Sequence, residues 1–297
     1  MAIPLIIDCD IGDDIDDALA IALAVRSPEV DLVGVTTVFQ RTALRAALAA
    51  LLLRAYGRPG VPVHAGADRP LLGTVREDWS PNQAVVLEGA VDAPPQGVHA
   101  AEFIVREGMR REGLVLLPIG AMTNVALAFA LEPRLVGRVR VVAMAGAWDR
   151  GGAEWNVQCD PEAVAAVLAA GARVEFVGLD VTTKAVLRAG DLAALGAAGG
   201  GAERMLLRFV RAWQRGWGKN DDFCPVLHDP LAVAAVFRPD LLTWREAAVA
   251  VELGSALVRG QTVSRGGGAT PNARIGVGVD AEGFLDLFGD RVCRGEG

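Results

Sequence analysis

The chain opens on an apolar run of strand length at residues 5–9, followed over 16–25 by apolar residues at helical spacing. The alternation then repeats. Residues 30–38 read as a strand, 43–54 as an Ala/Leu-rich helix, 61–64 as a strand and 100–111 as a helix. Further strands are predicted at 114–117, 139–143 and 174–177, with helices at 124–131 and 161–169 between them. Nearly continuous apolar strands alternating with helices predict the α/β class, as an open, mostly parallel central sheet with helices on both faces. Beyond it a long helix is predicted at 203–217 and another at 230–237, with apolar stretches at 247–252 and 275–279. No Pro/Ser-rich linker and no internal repeat divides the chain, so residues 1–297 read as one domain. The glycine runs at 196–201 and 266–268 read as flexible loops. Residues 74–96 lack periodicity and are a candidate active-site flap.

Composition narrows the function without naming it. The chain has 297 residues, of which 52% are hydrophobic and 22% charged, the profile of a globular protein with a large core. A net charge of −7 with no basic run argues against nucleic acid as a partner. The N-terminal apolar run is too short for a signal sequence, and no stretch is long and uncharged enough to span a membrane, so the expectation is a soluble cytoplasmic protein. Cys9, Cys159, Cys224 and Cys293 are scattered and form no CxxC pair, which makes reduced thiols the default.

The most informative segment is the loop after the first strand, where Asp8, Asp10, Asp13, Asp14, Asp16 and Asp17 place six carboxylates in ten residues. Ligands bind at such strand-to-helix junctions in open parallel sheets. Acids also suit a helix N-terminus, but that accounts for only one or two of the six. Two carboxylates ~4 Å apart repel by about 4 kcal/mol at an effective dielectric of ~20, so the cluster calls for a cation. Oxygen-only ligands favour a hard ion, Ca²⁺ or Mg²⁺, over zinc.

Asp8-Cys9-Asp10, Gly12 and Asp16-Asp17-Ala18-Leu19-Ala20-Ile21 resemble the opening motif of the nucleoside hydrolases, the inosine-uridine preferring nucleoside N-ribohydrolases. The loop is two residues longer than the usual motif, as in some bacterial members. The resemblance continues in order along nearly the whole chain. It runs through Val61-Pro62-Val63, Gly66-Ala67-Asp68-Arg69-Pro70-Leu71, Pro118-Ile119-Gly120 and Thr123-Asn124-Val125. It then takes in Glu154-Trp155-Asn156, Asp160-Pro161-Glu162-Ala163, Gly178-Leu179-Asp180-Val181-Thr182 and His228-Asp229-Pro230. Each segment is weak alone, and their ordered recurrence is specific.

The resemblance implies a Rossmann-like nucleoside hydrolase fold and Ca²⁺-dependent cleavage of a ribonucleoside, or a related ribosyl compound, to ribose and free base. It also implies a homodimer or homotetramer working in nucleoside salvage. Asp10 is then the general base for the attacking water and, with Asp17, Asp229 and the backbone carbonyl of Thr123, a metal ligand. Asp16 binds the ribose hydroxyls, with Asp8 behind it. Read without the family, Asp229 before Pro230 and Thr123 before Asn124 are ordinary helix caps, and Asp160 before Pro161 keeps that capping role. Glu154 and Asn156 map onto ribose-binding positions, on one side of what reads as an extended segment. Met144 matches a methionine beneath the ribose, though a lone Met in an apolar strand is commonly core. His228 carries the role of protonating the departing base, against a purely structural histidine beside a helix start. His64 and His99 match no motif position. Trp213 and Trp217, four apart on the long helix, share a face that either stacks on the base or packs on the core.

Two departures stand out. Where the family usually has an aromatic or aliphatic residue, then Gly and Asn or Asp, this chain has Phe39-Gln40-Arg41, placing a cation where a polar group is expected. Arg41 is expected either to pair with Asp13 or Asp14, which is favoured because extra acids and an extra cation occur together, or to bind an anionic substituent on the sugar. The loop from 146 to 153 is also shorter than usual and drops an asparagine contact to the sugar. Two rival readings remain. A phosphatase of the haloacid-dehalogenase type also carries Asp-x-Asp after its first strand, but leaves the later motifs unexplained. A non-catalytic binder of ribosyl ligands is motivated by Gln40-Arg41.

Overall fold

The first strand, β1 (Ile3–Cys9), is buried from Leu5 onward and turns through α1 (Asp16–Arg26) into β2 (Val30–Thr37). Helix α2 (Thr42–Ala55) leads on to β3 (Val63–Ala65), and α3 (Ala100–Arg110) to β4 (Val115–Pro118). The alternation continues through α4 (Thr123–Leu131), β5 (Arg140–Ala143), the short α5 (Trp155–Cys159), α6 (Pro161–Ala169) and β6 (Val174–Phe176). Then follow α7 (Leu179–Thr182), α8 (Ala189–Ala197), α9 (Gly201–Gly216), α10 (His228–Phe237), β7 (Leu242–Val251), β8 (Thr262–Arg265), β9 (Ala273–Val279) and α11 (Ala281–Phe288). This computed structural model describes residues 2–75, 79–88, 97–149, 151–265 and 268–294.

Among the described residues the strands form one sheet in the order β3-β2-β1-β4-β5-β6-β9-β7-β8. Strands β1 to β6 and β9 pair in parallel, and β7 runs antiparallel to both β9 and β8. The two faces explain the apolar strands. Leu5 and Ile7 join a core cluster beneath α1, α2, α9 and α10, whereas Ile6 joins the opposite cluster beneath α3, α4 and α6. Successive side chains of a strand point to opposite faces, so a strand covered on both sides must be apolar throughout. Helix α1 is buried continuously from Asp16 to Ala24, which is why its sequence lacks a polar face.

Several boundaries differ from the sequence reading. The strand expected at 61–64 begins at Val63, and the helix expected at 230 begins at His228. The glycine run at 196–201 is half helical, because α8 continues to Ala197 and α9 starts at Gly201, leaving residues 198–200 as the link. The apolar stretches at 247–252 and 275–279 belong to the antiparallel edge, and β8, short and mostly exposed, carries no apolar signal. Of the loops expected at 74–96 and 266–268, residues 76–78, 89–96 and 266–267 lie outside the described residues.

The topology fixes where a site belongs. Chain order reverses about β1, with β2 on one side and β4 on the other. The crevice at the carboxyl ends of such strands is the standard binding position. No helix among the described residues is long and apolar enough to cross a membrane.

Candidate active site

Asp10 follows the last residue of β1, and its loop runs to Asp16 and Asp17 in the first turn of α1. The Asp10 amide donates to Asp17 Oδ1 at 3.1 Å, which closes the loop on itself. Two glycines make this packing possible. A Cβ on Gly120 would lie 2.8 Å from Asp10 Oδ1, and Gly12, at φ +130°, would bring one to 2.6 Å from Pro81. Asp8 lies behind, its Oδ1 accepting the Thr36 hydroxyl at 2.7 Å and the Asn124 amide at 2.8 Å.

At the mouth of this crevice is a cavity of about 490 Å³, a size suited to a small ligand. Asp10, Asp13, Asp14, Asp16 and Asp17 line it, together with Met144, Glu154, Asn156, His228 and Asp229. Asp16, Asp17 and Asp229 are buried, and each brings a carboxylate oxygen to within 4.8 Å of the other two. Burial pushes Asp16, Asp17 and Asp229 well above the usual carboxylate range, and their neighbouring carboxylates push them further. Burial also raises Asp10, against the nearby Arg45 guanidinium, and lifts Asp8 to about 6. The oxygens of Asp16, Asp17 and Asp229 can hold a divalent cation, which would relieve both burial and repulsion.

Neither capping alternative describes the residues expected to complete the metal site. Asp229 sits inside the first turn of α10 and its side chain caps nothing; the N-cap is Leu227. Thr123 is the first residue of α4, and its hydroxyl donates to Asp160 Oδ2 at 2.6 Å. Its side chain does not line the cavity. Asp160 does cap α6, accepting the Ala163 amide at 3.0 Å.

Glu154 and Asn156 reach the cavity by a route other than an extended strand. Glu154 is the N-cap of α5 and accepts the amides of Asn156 at 2.7 Å, Val157 at 3.1 Å and Gly146 at 3.2 Å. Burial still lifts it to about 7. Asn156, inside α5, commits its NH₂ group to the carbonyls of Ile119 and Met144, each at 3.0 Å. Met144 follows β5, and its sulfur lies 3.4 Å from the Asn156 amide nitrogen. His228 opens α10 with Nδ1 2.7 Å from the Thr182 hydroxyl.

The tryptophans divide. Trp217 lies just past the end of α9, lines the cavity and donates to the Asp13 carbonyl at 3.3 Å. Trp213 is buried behind it, with ring centroids 6.4 Å apart, and packs against Phe223. Trp217 directly follows the last residue of α9 and its amide still donates to the Trp213 carbonyl at 3.0 Å, so the two stay one helical turn apart, Trp217 at the cavity and Trp213 in the core.

The largest correction concerns the cation. Arg41 donates to the Trp79 carbonyl at 3.2 Å, while the guanidinium that reaches Asp13, at 3.3 Å, belongs to Arg45. The sequence signal was there: Arg45 is a charge within an otherwise Ala/Leu-rich helix, and it is completely buried. Trp79, which also lines the cavity, stands in the aperiodic segment and gave no signal. Residues 82–87 of that segment form a 3-10 turn whose Asn82 and Gln83 side chains donate to the carbonyls of Asp13 and Asp14.

Comparisons with known proteins show the family of the chain. The profile of the inosine-uridine preferring nucleoside hydrolases matches residues 5–286. The inosine-uridine preferring nucleoside hydrolase of Leishmania major is 36% identical, covering 87% of this chain and 86% of its own. The pyrimidine-specific ribonucleoside hydrolase RihA of Escherichia coli is 34% identical, over 98% of this chain and 99% of its own. Among solved structures, the purine-preferring ribonucleoside hydrolase of Gardnerella vaginalis superposes with a TM-score of 0.81 at 28% identity, over 98% of each chain. The names of these proteins differ in the base and agree on the ribonucleoside.

Proposed function

The chain belongs to the family of inosine-uridine preferring nucleoside hydrolases, enzymes that act on N-glycosyl bonds, and from that membership we propose a specific reaction. It is the Ca²⁺-dependent hydrolysis of a ribonucleoside, or a closely related ribosyl compound, to ribose and free base. The carrying observation is the buried triad of Asp16, Asp17 and Asp229 in a cavity that also holds Asp10, Glu154, Asn156 and His228. Cleaving an N-glycosidic bond through an oxocarbenium-like state requires an activated water, charge stabilisation and help for the leaving base. The cavity contains a group for each.

Asp10, Asp17, Asp229 and the Thr123 carbonyl would hold the ion, which when bound lowers the pKa of water and stabilises negative charge. Asp10 takes the proton of the attacking water. Asp16 and Glu154 accept hydrogen bonds from the ribose hydroxyls. Asn156, its NH₂ already engaged, offers its side-chain oxygen to the sugar above Met144. Trp217 stacks on the base, and Trp213 supports it from behind. His228, oriented by Thr182, protonates the departing base. A homodimer or homotetramer in the cytoplasm accompanies this reading.

A panel of purine and pyrimidine nucleosides, scored for free ribose with and without chelator, tests it. Ribose release that stops on chelation and returns with Ca²⁺ is expected. Ligand-induced stabilisation without base release would replace the reading with a ribosyl-binding protein, and phosphate release from a generic phosphoester with a phosphatase.

A further inference from the structure

Arg45 binds the backbone of the site at four carbonyls. Its Nε donates to the carbonyls of Phe39 at 2.7 Å and Gln40 at 2.9 Å. Its Nη1 donates to the carbonyls of Asp10 and of Ile11, the latter at 2.9 Å, and its Nη2 reaches the Asp13 carboxylate. The guanidinium also lies 4.6 Å from the ring centroid of Trp79 in the cavity wall. One planar group thus joins the acidic loop, the turn after β2 and an aromatic wall.

The turn needs such support. Phe39, Gln40 and Arg41 are consecutive non-glycine residues at φ +61°, +54° and +51°. Each left-handed residue costs about 1–2 kcal/mol. Asp68 steadies the far side, where its Oδ1 accepts the Thr42 amide and hydroxyl at 2.8 and 2.6 Å. Among the described residues, Arg45 connects the turn to Asp10 through side-chain hydrogen bonds to both.

We propose that Arg45 is a positioning residue for hydrolysis: by binding the carbonyls of Asp10 and Ile11 together with those of Phe39 and Gln40, it fixes the direction of the Asp10 carboxylate. The Asp10 amide is held by Asp17 and its carbonyl by Arg45, so the residue is pinned on both sides. The inference rests on Asp10 being the general base. Lysine cannot substitute, because its point charge lacks the fork that donates in several directions at once.

Arg45→Lys tests this in the full chain. Misplacement of a reacting group by about 1 Å costs on the order of 10²-fold, so kcat for ribose release should fall by roughly 30-fold or more, with KM within about threefold. In metal-free protein, amide exchange at 10–13 and at 39–42 should accelerate together by about tenfold or more. Asp68→Asn, which loosens only the turn, should accelerate 39–42 and leave 10–13 unchanged. If Arg45→Lys does not fold, the double variant Arg45→Lys, Gln40→Gly takes its place, since glycine removes one left-handed penalty. That variant should fold and still have low kcat. A folded variant with kcat within about twofold of wild type and unchanged exchange at 10–13 would reduce Arg45 to core packing. A wild-type protein that released no ribose would overturn the functional reading, while the exchange result would still decide the tether.

Discussion

The two ends of the sheet treat buried carboxylates in opposite ways. At the amino ends of the strands, Glu175 on β6 binds Arg140 and Arg274, and Glu107 on α3 is held by Arg106, Arg110 and Arg111. Burial pushes both glutamates up, but the arginines overcome it and leave them below the usual range. At the carboxyl ends, Asp10, Asp16, Asp17, Asp229 and Glu154 crowd one cavity, and all are raised. Arg45 is the one arginine placed among them in the described structure, and it spends most of its donors on backbone carbonyls. Carboxylates matched to arginines stabilise the fold. Carboxylates crowded together without such partners cost stability and mark a candidate ligand site.

The contrast is broken most sharply by removing the proposed base. Asp10→Asn should fold yet lose ribose release by on the order of 10³-fold, since an amide cannot accept the water's proton. Wild-type turnover in this variant would move the base elsewhere. A smaller, substrate-dependent loss is expected for His228→Ala. Natural nucleosides should suffer about 10–100-fold more than a nitrophenyl riboside, whose leaving group departs unprotonated. Equal losses would assign His228 to site architecture.

The pH dependence of stability separates the two ends without any assay of activity. Asp8 and Asp13, raised to about 6, and Glu154, raised to about 7, bind more protons folded than unfolded between their ordinary and raised values. Their cost is fully present above the raised values and is relieved as pH falls through that window. The lowered Glu107 and Glu175 behave oppositely, stabilising above their ordinary value of 4.5 and losing that contribution as pH falls through their folded values. Metal-free protein should therefore melt higher at about pH 5 than at about pH 8, and decline again below about pH 4. Monotonic destabilisation from about pH 8 downward would contradict the account. The smallest effect belongs to the amino end. Glu175→Gln should cost about 2 kcal/mol in denaturant unfolding, by leaving Arg140 and Arg274 without their partner, and should change kcat by less than about twofold.

Much of this was legible in the sequence. Periodicity placed β1, β2, β4, β5 and β6 because doubly covered strands must be apolar, and the six-acid loop located the cavity because its carboxylates crowd one strand-to-helix junction. The antiparallel edge was harder to read, since β8 is short and exposed and supplies no apolar run. The motif residues Asp10, Asp16, Asp17, Glu154, Asn156, His228 and Asp229 meet in one cavity. Geometry that depends on distant contacts was out of reach. Glu154 is placed by capping α5, Trp213 is buried where Trp217 lines the cavity, and Arg45 displaces Arg41 as the partner of Asp13. A charge on a buried helix face is visible in sequence, but what it binds depends on how two loops far apart in the chain come together.

The central claim is that the carboxylates at the carboxyl end are crowded for a divalent cation and destabilise the protein without one. Three carboxylate oxygens within 4.8 Å of one another imply about 3–4 kcal/mol of repulsion per ionised pair at an effective dielectric of ~20. Calorimetric titration of Ca²⁺ into metal-free wild type and Asp229→Asn, with the metal-free melting temperature of each, measures both halves of the claim. The account predicts one ion per wild-type chain, none in the variant, and a metal-free variant that melts higher than wild type. Equal Ca²⁺ binding by both proteins, or a variant that binds none and melts lower, would contradict it.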